Sequence, residues 1–210
     1  MTGIIDYNAG NISSVARALS SLGLESLISK RPEELATAER LIIPGVGEAA
    51  FAMNQLKKSG YDSFIIDAAK KGIPILGICL GSQIVMDYSE EGNVDCLGLI
   101  PGKVRHFPDD LPAMGLKIPH MGWNNISYRK TDPLFSGIRD NSDFYFVHSY
   151  YLDPSDIEDI TGVAEYGIEF SCALNRKNIF ALQFHPEKSG KQGLKILGNF
   201  ATLTKESFGC

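Results

Sequence analysis

Three short stretches carry residue types that could act together on a carbonyl. In "GIPILGICLGSQIVMDYSEEG" (72–92) an apolar run reaches Cys79 between two glycines, Gly77 and Gly81. In "FALQFHPEKSG" (180–190) a second apolar run ends in His185, Pro186 and Glu187. In "LIIPGVGEAAF" (41–51) a third ends in Pro44, Gly45, Val46 and Gly47. A thiolate nucleophile needs an imidazole to handle its proton and the leaving group, and the imidazole needs a carboxylate to fix its tautomer. Cys79, His185 and Glu187 could fill these roles in that order. The Pro-Gly-x-Gly loop could supply backbone N–H groups of Gly45 and Val46, with that of Leu80, as an oxyanion hole.

Each element also has a plainer reading. A free cysteine is often a buried small hydrophobe, a His-Pro-Glu can be a surface turn, and glycines after strands are common turn formers. The glycines around Cys79 favour chemistry, because a strand–nucleophile–helix elbow needs close backbone approach on both sides. Such an elbow also sets the sulfur at a helix N-terminus, where partial positive charge favours the thiolate.

The elements that must position these residues follow from periodicity. The spacing predicts strands over 3–6, 25–29, 40–43 and 73–78, with helices over 12–22, 48–58 and 62–71 and a short one opened by Pro32. Asn11 is expected to cap the first helix and Gly23 to end it. Gln83 to Met86 continue at helical spacing after the elbow. Strand 73–78 is apolar on both faces, as a central strand covered by helices would be. The βαβ order implies an α/β fold in a single domain spanning 1–210. Its central sheet is doubly wound and largely parallel, with helices on both faces. The second half adds strands, partly antiparallel, in "GKVRHF", "NNISYR", "DFYFVHSYYL", "ITGVAEYG", "EFSCALNR" and "IFALQF", and a last helix over about 191–203. In such sheets ligands sit beyond the carboxyl ends of the strands, where Cys79 falls.

Composition narrows the function classes. The 210 residues are 44% hydrophobic and carry a net charge of -5, which disfavours nucleic acid as a ligand. Neither a leader peptide nor a membrane span is legible, and a cytoplasmic protein with reduced thiols is expected. The four cysteines, Cys79, Cys96, Cys172 and Cys210, lack metal or disulfide spacing. With only four histidines, no metal site is expected, and no cofactor is called for.

The G-x-C-x-G elbow, the upstream P-G-x-G loop and the downstream H-P-E, in this order, resemble the catalytic signature of class I (triad-type) glutamine amidotransferases. The resemblance implies Cys79 as nucleophile, His185 as general acid and base, and Glu187 as its orienter. It further implies glutamine binding by Gly47, Gln83 and Glu91, with backbone contacts from Ser149 and Tyr150. Within that family "DYNAGNISSV", "EEGNVDCLGLIPGKV", "IPHMGWNN" and "YFVHSYY" look like stand-alone glutaminase subunits of histidine biosynthesis. These pass ammonia to a (β/α)8 cyclase subunit in a heterodimer. One departure is Ser82, where a larger apolar residue is expected and packing behind the elbow could loosen.

A docking face around the site mouth is implied, with Trp123, Tyr145 and Lys188 as interface or tunnel candidates. Without the resemblance Trp123 is equally a core or lid residue and Lys188 a solvated lysine. His120 and His148 are assigned structural or interface roles, and His106 has none. The oxyanion loop is expected to be misaligned until the partner docks, leaving the isolated chain nearly inactive. Two rival readings are a paralogue that feeds a sugar-modifying enzyme and a cysteine hydrolase or peptidase on the same elbow.

Overall fold

The computed structural model describes residues 1–8 and 11–208, so Ala9, Gly10, Gly209 and Cys210 lie outside the described residues. Five parallel strands form the half of the sheet that matters for the site. These are β1 (Thr2–Ile5), β2 (Ser26–Ser29), β3 (Arg40–Gly45), β4 (Ile75–Cys79) and, from the far end of the chain, β13 (Ile179–Leu182). Their order is β2-β1-β3-β4-β13. Parallel neighbours need crossovers, and α1 (Ile12–Ser21), α2 (Ala49–Ser59) and α3 (Tyr61–Lys70) provide them.

Helices cover both faces. On one, Val15 and Leu19 of α1 and Ile196 and Phe200 of α5 (Gly190–Ala201) pack over Ile4, Ile42, Leu76 and Ile78. On the other, Met53, Leu56 and Ile65 pack over Ile5, Leu41, Ile43 and Ile75. The two-residue alternation of a strand thus sorts each side chain to one core.

Beyond β13 the sheet turns largely antiparallel. It continues through β12 (Ile168–Arg176), β10 (Tyr150–Pro154) and β7 (Ile100–His106), then β5 (Met86–Ser89) and β6 (Val94–Asp95). Along this path only β7 and β5 pair in parallel. A branch from β12 carries β11 (Ile160–Tyr166), β8 (His120–Tyr128) and β9 (Ser142–His148). No helix among the described residues is long and apolar enough to cross a membrane.

Several expectations are corrected. The helix after the elbow, α4 (Leu80–Ile84), is only five residues long. Val85 and Met86 leave it because their carbonyls are taken by the N–H groups of Leu99, Ile100 and Gly98, which draw the chain into the sheet as β5. So short a helix has a small macrodipole, and the charge opposite the sulfur has to come from a side chain. Asn11 precedes α1 but does not cap it through its side chain. Its backbone carbonyl accepts from Ser14 and Val15, while its Oδ1 accepts from the Ser14 hydroxyl. The run "DFYFVHSYYL" is two strands broken at Ser149.

Glycines at close approaches differ in what they tolerate. A Cβ on Gly81 would collide with the Ile43 carbonyl oxygen, and one on Gly193 with that of Pro186. Gly198, inside α5, has only Leu22 Cδ1 at 3.9 Å. Gly81→Ala and Gly193→Ala should therefore each destabilise by about 2 kcal/mol or more. Gly198→Ala should stabilise by about 0.5–1 kcal/mol through reduced chain entropy. Denaturant midpoints of the three variants check the contrast.

Candidate active site

The three chemistry-bearing stretches end side by side because their strands are parallel neighbours in register. Gly45 pairs with Cys79 across β3 and β4, and Leu182 pairs with Ile78 across β13 and β4. The Pro-Gly-x-Gly loop, Cys79 and the His-Pro-Glu therefore emerge at one edge, although His185 lies 106 positions after Cys79 in sequence.

Cys79 sits at φ 55° and ψ -110°, a conformation that side chains rarely adopt and that costs of order 1–3 kcal/mol. The strain redirects the side chain. Strand alternation would send Cys79 to the core of Ile75, yet it packs in the opposite cluster with Leu76 and Ile78. Ser82 stabilises the turn: fully buried, its hydroxyl donates to the Cys79 carbonyl at 2.6 Å. A larger apolar residue at 82 would lack that bond, so the departure from the expected type ties the elbow rather than loosening it.

His185 is 1% exposed, and its Nδ1 donates to Glu187 Oε1 at 2.8 Å. That bond leaves Nε2 to face the reaction, buried and without a hydrogen-bond partner. Burial pushes the imidazole pKa down, but the sulfur of Cys79 and the carboxylate of Glu187 outweigh it and bring it up to about 9. His185 Nε2 makes no well-formed hydrogen bond in the resting chain, and the sulfur of Cys79 raises the imidazole pKa both as an acceptor within reach and through its charge. Near neutral pH the ring is an imidazolium with a proton on Nε2 to give away. Asn11 Nδ2 donates to the same Glu187 Oε1 at 3.4 Å.

Cys79 and His185 line one cavity of about 250 Å³, together with Val46, Gly47, Leu80, Gln83, Glu91, Ser149 and Tyr150. This is below the roughly 300–1,000 Å³ of drug-sized sites and suits a small metabolite. Gly45 and Glu187 stand behind its wall. A larger cleft of about 440 Å³ over Arg129, Glu169 and Phe170 holds no cysteine or histidine. The remaining described thiols are poor nucleophiles: burial pushes Cys96 up to about 12 and Cys172 well above its ordinary range. Glu91 Oε2 accepts from the Ala49 N–H at 2.9 Å at the start of α2, and burial raises its pKa.

Trp123, Tyr145 and Lys188 stay out of the cavity and cluster beside it. Trp123 pairs with Tyr145 across β8 and β9, their rings edge to face at 6.1 Å, and Lys188 Nζ lies 5.8 Å from the Tyr145 ring. Trp123 is 59% exposed, which excludes a core role. The His185 N–H donates to the Tyr145 carbonyl at 2.9 Å, so this patch is one hydrogen bond from the imidazole's backbone. Among the described residues no cluster of three or more His, Cys, Asp or Glu could hold a metal.

Sequence reasoning gave no catalytic or binding role to four residues here. Gln183 donates toward Cys79 Sγ at 3.9 Å and accepts from Gln83 at 3.1 Å. The Val147 carbonyl faces the thiol at 3.9 Å. Tyr7, pushed up by burial and by the charge on Cys79, donates to the Pro44 carbonyl at 2.8 Å. His148 lines the cavity itself. A buried glutamine inside the apolar "FALQF" was a legible signal for Gln183; the others depend on contacts between distant segments.

Comparison with known proteins finds similarity over nearly the full length of the chain. Residues 3–203 match the family described as glutamine amidotransferase class-I. Imidazole glycerol phosphate synthase subunit HisH of Moorella thermoacetica is 45% identical over 97% of this chain and 95% of its own length. Subunit HisH 1 of Campylobacter jejuni subsp. jejuni is 47% identical over 97% of this chain and all of its own. Among solved structures, a glutamine amidotransferase crystal structure superposes with TM-score 0.74 at 17% identity, covering 96% of this chain and 99% of that one. PurLQS from Thermotoga maritima superposes with TM-score 0.73 at 19% identity, covering 95% and 96%.

The folded chain holds the His185 proton more tightly than a free imidazole with its ordinary value of 6.5. The resulting stabilisation is full below about 6.5 and is lost as pH rises through about 9. In NMR titrations Glu187→Gln should move the ring's midpoint down by roughly one pH unit or more, because one of its two supporting charges is gone. An unchanged midpoint would show that Glu187 contributes no charge to the pair.

Proposed function

The chain belongs to the class-I glutamine amidotransferase family, and from that premise we propose that it is the glutaminase subunit of imidazole glycerol phosphate synthase. One observation carries the reading: a cysteine, an imidazole–carboxylate pair and a Gly-rich loop meet at the ends of three adjacent parallel strands around a single small cavity. The near full-length similarity to synthase subunits supports the choice of acceptor pathway. On this reading residues 1–210 act as one glutamine amidotransferase domain in the cytoplasm.

The half-reaction converts L-glutamine and water to L-glutamate and ammonia. The Cys79 thiolate adds to the carboxamide carbon, and the carbonyl electron pair moves to oxygen. N–H groups of Gly45, Val46 and Leu80 receive that oxyanion; losing one such donor costs about 10²–10³ in kcat. His185 Nε2–H protonates the departing nitrogen, the C–N bond breaks, and a γ-glutamyl thioester remains. The now neutral Nε2 takes a proton from water, whose hydroxide adds to the thioester. The C–S bond then breaks, releasing glutamate and restoring the thiolate. Glu187 keeps the ring oriented throughout. Gly47, Gln83, Glu91 and the backbone of Ser149 and Tyr150 hold the amino-acid end of glutamine.

Ammonia released into neutral water would become ammonium and lose its nucleophilic lone pair. The enzyme therefore hands it directly to a cyclase subunit, a (β/α)8 barrel that forms a heterodimer with this chain. There the ribonucleotide N′-[(5′-phosphoribulosyl)formimino]-AICAR takes up the nitrogen to give imidazole glycerol phosphate and AICAR. The exposed face of Trp123, Tyr145 and Lys188 beside the cavity suits that dock: aromatic anchors are enriched at interfaces, and Lys188 is free to meet an acidic group.

Cys79→Ala should abolish glutamine-dependent formation of imidazole glycerol phosphate by the reconstituted pair while ammonia-dependent synthesis continues. Loss of both would mean that assembly had failed, and product from a sugar acceptor instead would move the chain to a different partner. Isolated, the chain should turn over glutamine at a negligible rate; fast turnover without a partner would remove the idea that docking aligns the Gly45–Val46 loop.

A further inference from the structure

Running from the cavity wall at His148 into the core behind it lies a polar cluster that the proposed mechanism does not use. His120 and His148, 3% and 6% exposed, face each other across β8 and β9 within a nest of Phe107, Phe146, Phe170 and Tyr166. Their nitrogens form a chain with fixed ends. His148 Nδ1 lies 2.7 Å from the Tyr150 carbonyl oxygen, His148 Nε2 lies 3.0 Å from His120 Nδ1, and His120 Nε2 lies 3.4 Å from Asn124 Nδ2.

The chemistry of the ends dictates where every proton sits. A carbonyl only accepts, so His148 carries its proton on Nδ1. Burial first, and then the neighbouring rings, push His148 down to about 3 despite the bond to Tyr150, and burial holds His120 down to about 4. Both rings are therefore neutral, each with one N–H. His148 Nε2 must accept, which puts the proton of His120 on its Nδ1. His120 Nε2 must then accept in turn, and Asn124 donates to it with one amide hydrogen while the other goes to the Glu165 carbonyl at 2.8 Å. Donation runs one way, from Asn124 through His120 and His148 to Tyr150.

The receiving carbonyl belongs to the cavity wall. Tyr150 O also accepts from Gln83 Nε2 at 3.4 Å, and the same short segment presents the Val147 carbonyl to Cys79 Sγ and ties the Ser149 carbonyl to the Phe107 N–H at 3.0 Å. We propose that His120 and His148 are positioning residues: a one-directional, uncharged hydrogen-bond chain from Asn124 that fixes the 147–150 backbone and Gln83 in the geometry that binds the α-amino and carboxylate end of glutamine. The proposal rests on the glutaminase reading given above. A neutral chain suits the task, since an imidazolium here would sit unpaired among phenyl rings and compete with His185 for the charge of Cys79.

The test uses the reconstituted synthase with ¹⁵N-histidine in this chain. Both rings should show the Nδ1–H tautomer, which is the minor form of histidine in water, and keep it to mildly acidic pH. His120→Phe keeps the ring stack but leaves His148 Nε2 without a donor; KM for glutamine should rise roughly tenfold to a hundredfold, with a smaller change in kcat and none in ammonia-dependent synthesis. His120→Asn places an amide N–H near the former Nδ1 and should recover most of the loss. Either ring in the Nε2–H form, or a folded His120→Phe with unchanged KM, would overturn the proposal alone. Should His120→Phe not fold, the wild-type ring spectrum and the KM of His120→Asn against His120→Leu decide. A complex with both Nδ1–H rings that never consumes glutamine would overturn the glutaminase reading and the positioning role with it.

Discussion

Gly81 lets its backbone lie against the carbonyl of Ile43, and the rest of the site depends on that approach. Without it β3 and the start of α4 could not lie so close, and the chain could not reverse within one residue at Cys79. The strained φ of 55° survives because its surroundings over-determine it. Gly77 accepts the Gly81 carbonyl where a Cβ would clash, and Ser82 binds the Cys79 carbonyl. The strain turns the sulfur out of its strand's own alternation and toward His185. A relaxed extended residue at 79 would bury its side chain under α2 and α3, away from any imidazole.

Once the sulfur is turned, electrostatics settle the division of labour. The three described cysteines face different surroundings, and only Cys79 has a buried imidazole across a cavity. The four histidines divide in the same way. His185 gains a carboxylate and a sulfur and is drawn upward to about 9, whereas His120 and His148 gain only rings and neutral partners and are driven down to about 4 and about 3. His106 lies half-exposed near Asp109 with its ring edge-on to Tyr150 and faces no reacting group. Burial alone predicts none of this. Whether a buried imidazole is an acid, a base or a link in a chain is set by the one or two atoms its nitrogens meet.

Much of the site was legible because catalysis of this kind needs local signals that survive in one dimension: glycines flanking a cysteine, Pro-Gly-x-Gly after a strand, and a His-Pro-Glu. The parallel half of the fold was equally legible, since β3, β4 and β13 are largely apolar runs and α1, α2 and α3 each carry one buried apolar face. The antiparallel half was less so. Gln83 to Met86 read as helix because their apolar spacing was compatible with either period, and only the pull of Gly98 to Ile100 takes Val85 and Met86 out of it and into the sheet. Tyr7, Val147 and Gln183 escaped notice, and the paired histidines were given only structural or interface roles, for another reason. Their roles come from contacts spanning 28 to 104 residues, and nothing in a local window distinguishes a histidine that meets another histidine from one that meets solvent.

The same architecture bears on how a charged intermediate can coexist with a product that must stay uncharged. On the proposed mechanism His185 begins as an imidazolium and gives up its Nε2 proton as nitrogen departs, so ammonia forms beside a ring that has just become neutral. Glu187, the nearest carboxylate, is occupied on Oε1 by His185 and Asn11. Its Oε2 is buried without a hydrogen-bond partner, so this carboxylate has no exposed oxygen through which to return a proton to the product. The peptide of His185 is meanwhile bonded to Tyr145, the residue on which Lys188 and Trp123 converge. An acceptor protein seated on that aromatic face would meet the nitrogen one residue layer from where it leaves carbon, before bulk water could protonate it.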